Sequence, residues 1–93
     1  MRTIHLRHNG QGTWYVSVTQ DNHPVISNMP YLSTPQALRA FVHEGHHQPF
    51  ARMLIHRDKN ENAVVIRRAR ACVKDQGKHA IDTQAVKAVV AKV

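Results

Sequence analysis

A single cysteine, Cys72, in 93 residues rules out an internal disulfide. Such sparing use fits a reducing compartment, and a cytoplasmic location is the expectation. No apolar run is long enough to span a bilayer, and Met1-Arg2 leads directly into alternating strand residues where a signal peptide would carry its apolar core. A membrane partner is therefore not expected. No serine stands in a nucleophile-elbow context. The glycines at 10 and 12 belong to a hairpin with no helix behind it, so they form no phosphate-binding loop. Internal repeats, low-complexity tracts and linkers are also missing, and the chain reads as one domain over 1–93. These absences point away from an enzyme and away from a cofactor.

Acidic side chains are the other shortage. Six Asp and Glu face 13 Lys and Arg, a formal charge of +7 with the eight histidines neutral. Such an excess favours polyanions, chiefly nucleic acid, although basicity for solubility alone is the plain alternative. Protonated histidines would add to the charge, so polyanion binding is expected to tighten below pH about 6.5. A chain this short buries a small share of its surface, which keeps a homodimer open.

Apolar and polar residues alternate in the first stretch, with Ile4 and Leu6 on one side and Thr3, His5 and Arg7 on the other. A polar turn at Asn9-Gly10-Gln11-Gly12 leads into a second strand. There Trp14, Val16 and Val18 share one face, and Tyr15, Ser17 and Thr19 the other. After a turn at 20–23, Val25-Ile26-Ser27 predicts a short third strand. Thr34 or Ser33 caps a helix that Pro35 can begin without losing a hydrogen bond, and Leu38, Phe41 and Val42 line one side of it. Gly45 predicts its stop, which places the helix at 35–44.

The second half is read as mostly helical. Met53-Leu54-Ile55 is an apolar run that fits a short strand or one helical turn equally well. Over 63–76 the helical period gathers Val65, Ile66, Ala69, Cys72 and Val73 on one arc and Arg67, Arg70 and Lys74 opposite, with Gly77 as the stop. A last helix over 84–92 behind Thr83 collects Val86, Val89, Val90 and Val93 on one face. The expected fold is thus α+β: a three-stranded antiparallel meander packed on one helix (1–45), followed by a mostly helical C-terminal half (46–93).

His43-Glu44-Gly45-His46-His47 matches H-E-x-x-H, in which two histidines one helical turn apart hold zinc and the glutamate is general base. That chemistry needs the motif inside a helix, whereas Gly45 and Pro49 predict that the helix ends there. A third ligand at a familiar spacing is lacking. Metal is therefore not expected, beyond adventitious nickel or zinc at His43 and His47. Cys72 sits on the apolar arc and reads as a buried hydrophobe.

Two basic or hydrogen-bonding surfaces remain. Arg67, Arg70 and Lys74 line one helix face with Arg68 at its edge and Lys78 beyond the stop; spaced cations of this kind meet successive phosphates. The polar strand face, with Thr3, His5, Arg7, Tyr15, Ser17 and Thr19, has no acid and suits contact with bases or sugars. For each, a solvated face is the plain alternative.

Gly12-Thr13-Trp14-Tyr15-Val16-Ser17-Val18, followed by Tyr31-Leu32-Ser33-Thr34-Pro35-Gln36-Ala37-Leu38-Arg39-Ala40-Phe41, resembles the arm-binding domain of tyrosine-type phage integrases and the related plant AP2 domain. The resemblance covers residues 3–41. It implies a three-stranded sheet laid in the major groove of DNA with a helix behind it, and a phage or mobile-element origin. The function expected is that of a non-enzymatic nucleic-acid-binding accessory or regulatory protein, with duplex DNA as the leading partner. Its contacts would be Arg67, Arg70, Lys74, Arg68, Lys78, Arg7 and His5 with Tyr15 and Ser17. The alternative is an interaction module or inhibitor docking on an acidic protein.

Overall fold

The alternation in the N-terminal stretch produces a hairpin whose apolar side is one wall of the core. In the computed structural model, which describes residues 1–48, 50–57, 63–66 and 81–92, strand β1 is Arg2–His8 and β2 is Trp14–Gln20. They pair antiparallel with Leu6 opposite Val16 and Ile4 opposite Val18. Asn9 shapes the connecting turn: its side-chain oxygen accepts from the Gln11 and Thr13 amides at 2.7 and 3.2 Å. Strand β3, His23–Tyr31, follows a two-residue turn. Asp21 and Asn22 both have positive φ there, 50° and 69°, the backbone that a tight hairpin of this twist requires. At nine residues β3 outgrows the expected short strand, and irregular register near Val16–Thr19 accommodates the extra length.

Helix α1, Thr34–His47, begins as the sequence predicts. Ser33 is the cap, its hydroxyl accepting from the Gln36 amide at 3.4 Å. That frees Thr34, whose hydroxyl oxygen accepts from Trp14 Nε1 at 3.1 Å and ties the helix start to the sheet. Helix α1 does not stop at Gly45. It runs to His47, with Gly45 buried inside its last turn. A Cβ at position 45 would lie 2.6 Å from Ile81 Cδ1 and 2.7 Å from Met53 Cε. Glycine therefore serves close approach rather than termination here.

The chain then re-enters the sheet, and this overturns the expectation of a mostly helical second half. Strand β4, Arg52–His56, pairs parallel with β1; strand β5, Val64–Ile66, pairs antiparallel with β4. The result is one five-stranded mixed sheet in the order β3-β2-β1-β4-β5, with the meander as part of it. Val64–Ile66, within the stretch read as a helix, are strand because β4 offers an unpaired edge and Ile66 reaches the core opposite Met53. The remainder of that expected helix, from Arg67 on, lies outside the described residues. Helix α2, Thr83–Val90, is capped by Asp82 in place of Thr83; the Asp82 carboxylate accepts from the Ala85 amide at 3.0 Å.

Both described helices pack on the same side. Phe41 and Ala37 of α1 and Val86 and Val90 of α2 close over Ile4, Leu6, Trp14, Val16, Val18, Met53 and Ile55, all buried. No described helix packs on the other side of the sheet. No helix is long and apolar enough to cross a membrane among the described residues.

Candidate functional site

Because side chains alternate, each strand that sends apolar groups into the core sends its other residues to the open face. The register arranges them in three rows across β2, β1 and β4: Tyr15–Arg7–His56, then Ser17–His5–Leu54, then Thr19–Thr3–Arg52. Val65 of β5 extends the middle row beyond Leu54. Arg7 and Arg52 are exposed, while His5, His56, Tyr15, Thr3 and Thr19 are half-buried among their neighbours.

His5 stands at the centre and links the rows. Its Nδ1 lies 2.9 Å from His56 Nε2 and its Nε2 lies 2.9 Å from the Thr19 hydroxyl. The two imidazoles are stacked with centroids 5.2 Å apart. Either direction of hydrogen bonding along this chain of three groups uses one proton per contact, so the pair is satisfied when both rings are neutral. Its surroundings favour that state. Burial, then the Arg7 guanidinium, hold the His5 ring below its ordinary value. Burial, then Arg7, then His5 itself push His56 down to about 4. His56 therefore stays neutral over most of the mildly acidic range, and His5 takes up its proton less readily than an ordinary imidazole, so this pair adds less positive charge on acidification than free histidines would.

Of the residues singled out from the sequence, the sheet brings Arg7, His5, Tyr15 and Ser17 together on one surface. Ser17 is buried at 8% exposure, so its hydroxyl is the least accessible of them. Arg67, Arg68, Arg70, Lys74, Lys78 and Cys72 lie outside the described residues. The residues that sequence reasoning missed come from β4: Arg52, Leu54 and His56. A period-two reading of Arg52-Met53-Leu54-Ile55-His56 puts Met53 and Ile55 on one side and these three on the other. Leu54 masked that alternation. No carboxylate stands on this face among the described residues; Asp21 is in a turn, Glu44 on α1 and Asp82 at the start of α2.

The continuation of α1 through His47 changes the second constellation. His43 and His47 now lie on one helix face, with their Nε2 atoms 3.0 Å apart. Glu44 is engaged elsewhere, its Oε2 accepting from Gln48 Nε2 at 3.0 Å. No group of three potential metal-ligating side chains occurs among the described residues, so the third ligand of a zinc-hydrolase centre is not supplied by them. Comparison with protein families, characterised proteins and solved structures finds no match to this chain.

Proposed function

We propose that this protein is a small nucleic-acid-binding accessory or regulatory protein whose docking surface is the open face of the sheet. One observation carries the reading: the face joins two exposed guanidinium groups, Arg7 and Arg52, to the rings of Tyr15, His5 and His56, with no carboxylate among the described residues. Guanidinium groups meet phosphates, and the flat rings offer stacking surfaces for bases. The rows holding Arg7 and Arg52 are four residues apart, roughly 13 Å along the strands. Two phosphates of one backbone can thus be held with the His5 ring in the row between them and the Tyr15 and His56 rings flanking Arg7.

The width of the sheet bears on the kind of nucleic acid. Five strands at about 4.8 Å spacing span roughly 19 Å, against about 12 Å for the major groove of B-form DNA. A broad sheet cannot enter that groove face-on, which favours a single strand laid across the rows over the duplex that the sequence suggested. Neutral histidines suit this use, because an uncharged imidazole stacks without the cost of a buried charge.

Fluorescence anisotropy with a short single-stranded oligonucleotide and its duplex, over a range of salt, tests the reading. The expected result is tighter binding of the single strand, with affinity falling as salt rises. The double variant Arg7→Glu/Arg52→Glu should weaken binding more than tenfold and flatten the salt slope by about 0.7 per cation lost. Affinity indifferent to salt, or unchanged in that variant, would overturn it. Salt-sensitive capture of an acidic protein without nucleic-acid binding would assign the same face to a protein partner.

A further inference from the structure

We propose that His43 and His47 form a two-nitrogen chelate for a borderline divalent transition metal of the copper, nickel and zinc class. The site is separate from the open sheet face. It stands on the last turn of α1, and it exists because the helix continues through the buried Gly45.

The nitrogen separation matches that of an occupied site, although the two rings now share it as a hydrogen bond. Two nitrogens each about 2.0–2.1 Å from one metal, at angles between square and tetrahedral, stand roughly 2.9–3.3 Å apart. The Nε2 atoms of His43 and His47 are 3.0 Å apart, with the rings edge-on at 80°. Metal binding replaces that hydrogen bond: the proton now held at one Nε2 moves to Nδ1, and both rings reorient so that their Nε2 lone pairs meet at the ion. Both side chains are exposed, so an ion reaches them without rearrangement of the core. The location adds a favourable field, because the carboxyl end of a helix carries partial negative charge. Arg39, one turn earlier, opposes this, and it shares a surface depression with His43, Tyr31 and Gln36.

The other imidazole pair has a similar nitrogen separation but a less favourable setting. His5 and His56 are half-buried beside Arg7, whose positive charge disfavours a dication, and His5 Nε2 is already engaged with Thr19. The choice between the pairs therefore rests on neighbours. With two protein ligands the α1 site leaves positions to water. That is the arrangement of a reversible exchange site and not of a closed structural one. The ordinary series predicts copper above nickel above zinc, with no measurable competition from magnesium.

Isothermal titration of the tag-free chain with nickel chloride and zinc chloride is the test. One ion per chain is expected, with nickel the tighter. His43→Ala and His47→Ala should each lower the affinity at least tenfold, while His56→Ala should leave it within twofold. Circular dichroism of each variant checks that α1 persists; His47→Gln, which keeps a hydrogen-bonding group at the exposed position, serves where alanine frays the helix. Affinity unchanged in either α1 variant, or lost equally in His56→Ala, would overturn the assignment.

Discussion

The two faces of the sheet are built from the same strands yet obey different rules. On the covered face, Ile4, Leu6, Val18 and Ile55 are fully buried, as is Phe41 of α1, and each contributes through apolar area removed from water. On the open face, the same strands present Arg7, His5, Tyr15, Thr3 and Thr19, whose contacts are directional and whose charges are all of one sign. One face holds the molecule together, while no described helix packs on the other. The comparison teaches that neighbouring residues of one strand are held by different forces, apolar burial on one side and directional polar contacts on the other.

The sharpest way to break that separation is a cavity. Phe41→Ala removes the largest fully buried side chain and is expected to cost about 3–5 kcal/mol, read from urea unfolding. Tyr15→Ala on the open face should cost a third of that or less, while weakening oligonucleotide binding several-fold. If Tyr15→Ala destabilises as much as Phe41→Ala, the open face is structural and the proposed interface loses its support.

Next in size is the contact where α1 meets β4. Gly45→Val would drive new carbons into Met53 and Ile81, both nearly buried, and should cost about 1–3 kcal/mol. A neutral or stabilising result in the same unfolding measurement would mean that Met53 yields freely and that the helix does not need glycine there.

The smallest expected effect is the dependence on pH. The folded protein holds the His5 and His56 rings below their unfolded values, so between about pH 6.5 and 4 the unfolded chain binds more protons than the folded one. The stability associated with the neutral pair is fully present above pH about 6.5 and declines as the pH falls toward 4. In His56→Gln, the fall in unfolding midpoint between pH 6.5 and 4 should be shallower than in the parent chain. An equal slope would place the titrating group elsewhere.

Much of the first half was legible from the sequence. Period two in β1 and β2 separated the covered from the open face residue by residue, and Ser33-Thr34-Pro35 marked the start of α1. The end of α1 was not legible, since Gly45 carries a stop signal that its tertiary position overrides: the chain uses the missing side chain to bring helix and strand together. Strand β4 was hidden for a different reason. Five residues with Leu54 on the polar side give no decisive period, and what makes them a strand is the free edge of β1, more than forty residues earlier.

The candidate site shares this history. The sequence by itself determined which groups β1 and β2 offer, Arg7, His5, Tyr15 and Ser17, because local alternation dictates the face on which a strand residue lies. Only the tertiary structure decided that β4 would run parallel beside β1. That pairing brings His56 against His5 and places Arg52 beside Thr3, and the imidazole contact spans 51 positions of sequence. No local pattern encodes such a contact. It follows from the crossover through α1, whose apolar face must be buried and whose return delivers the chain to that edge.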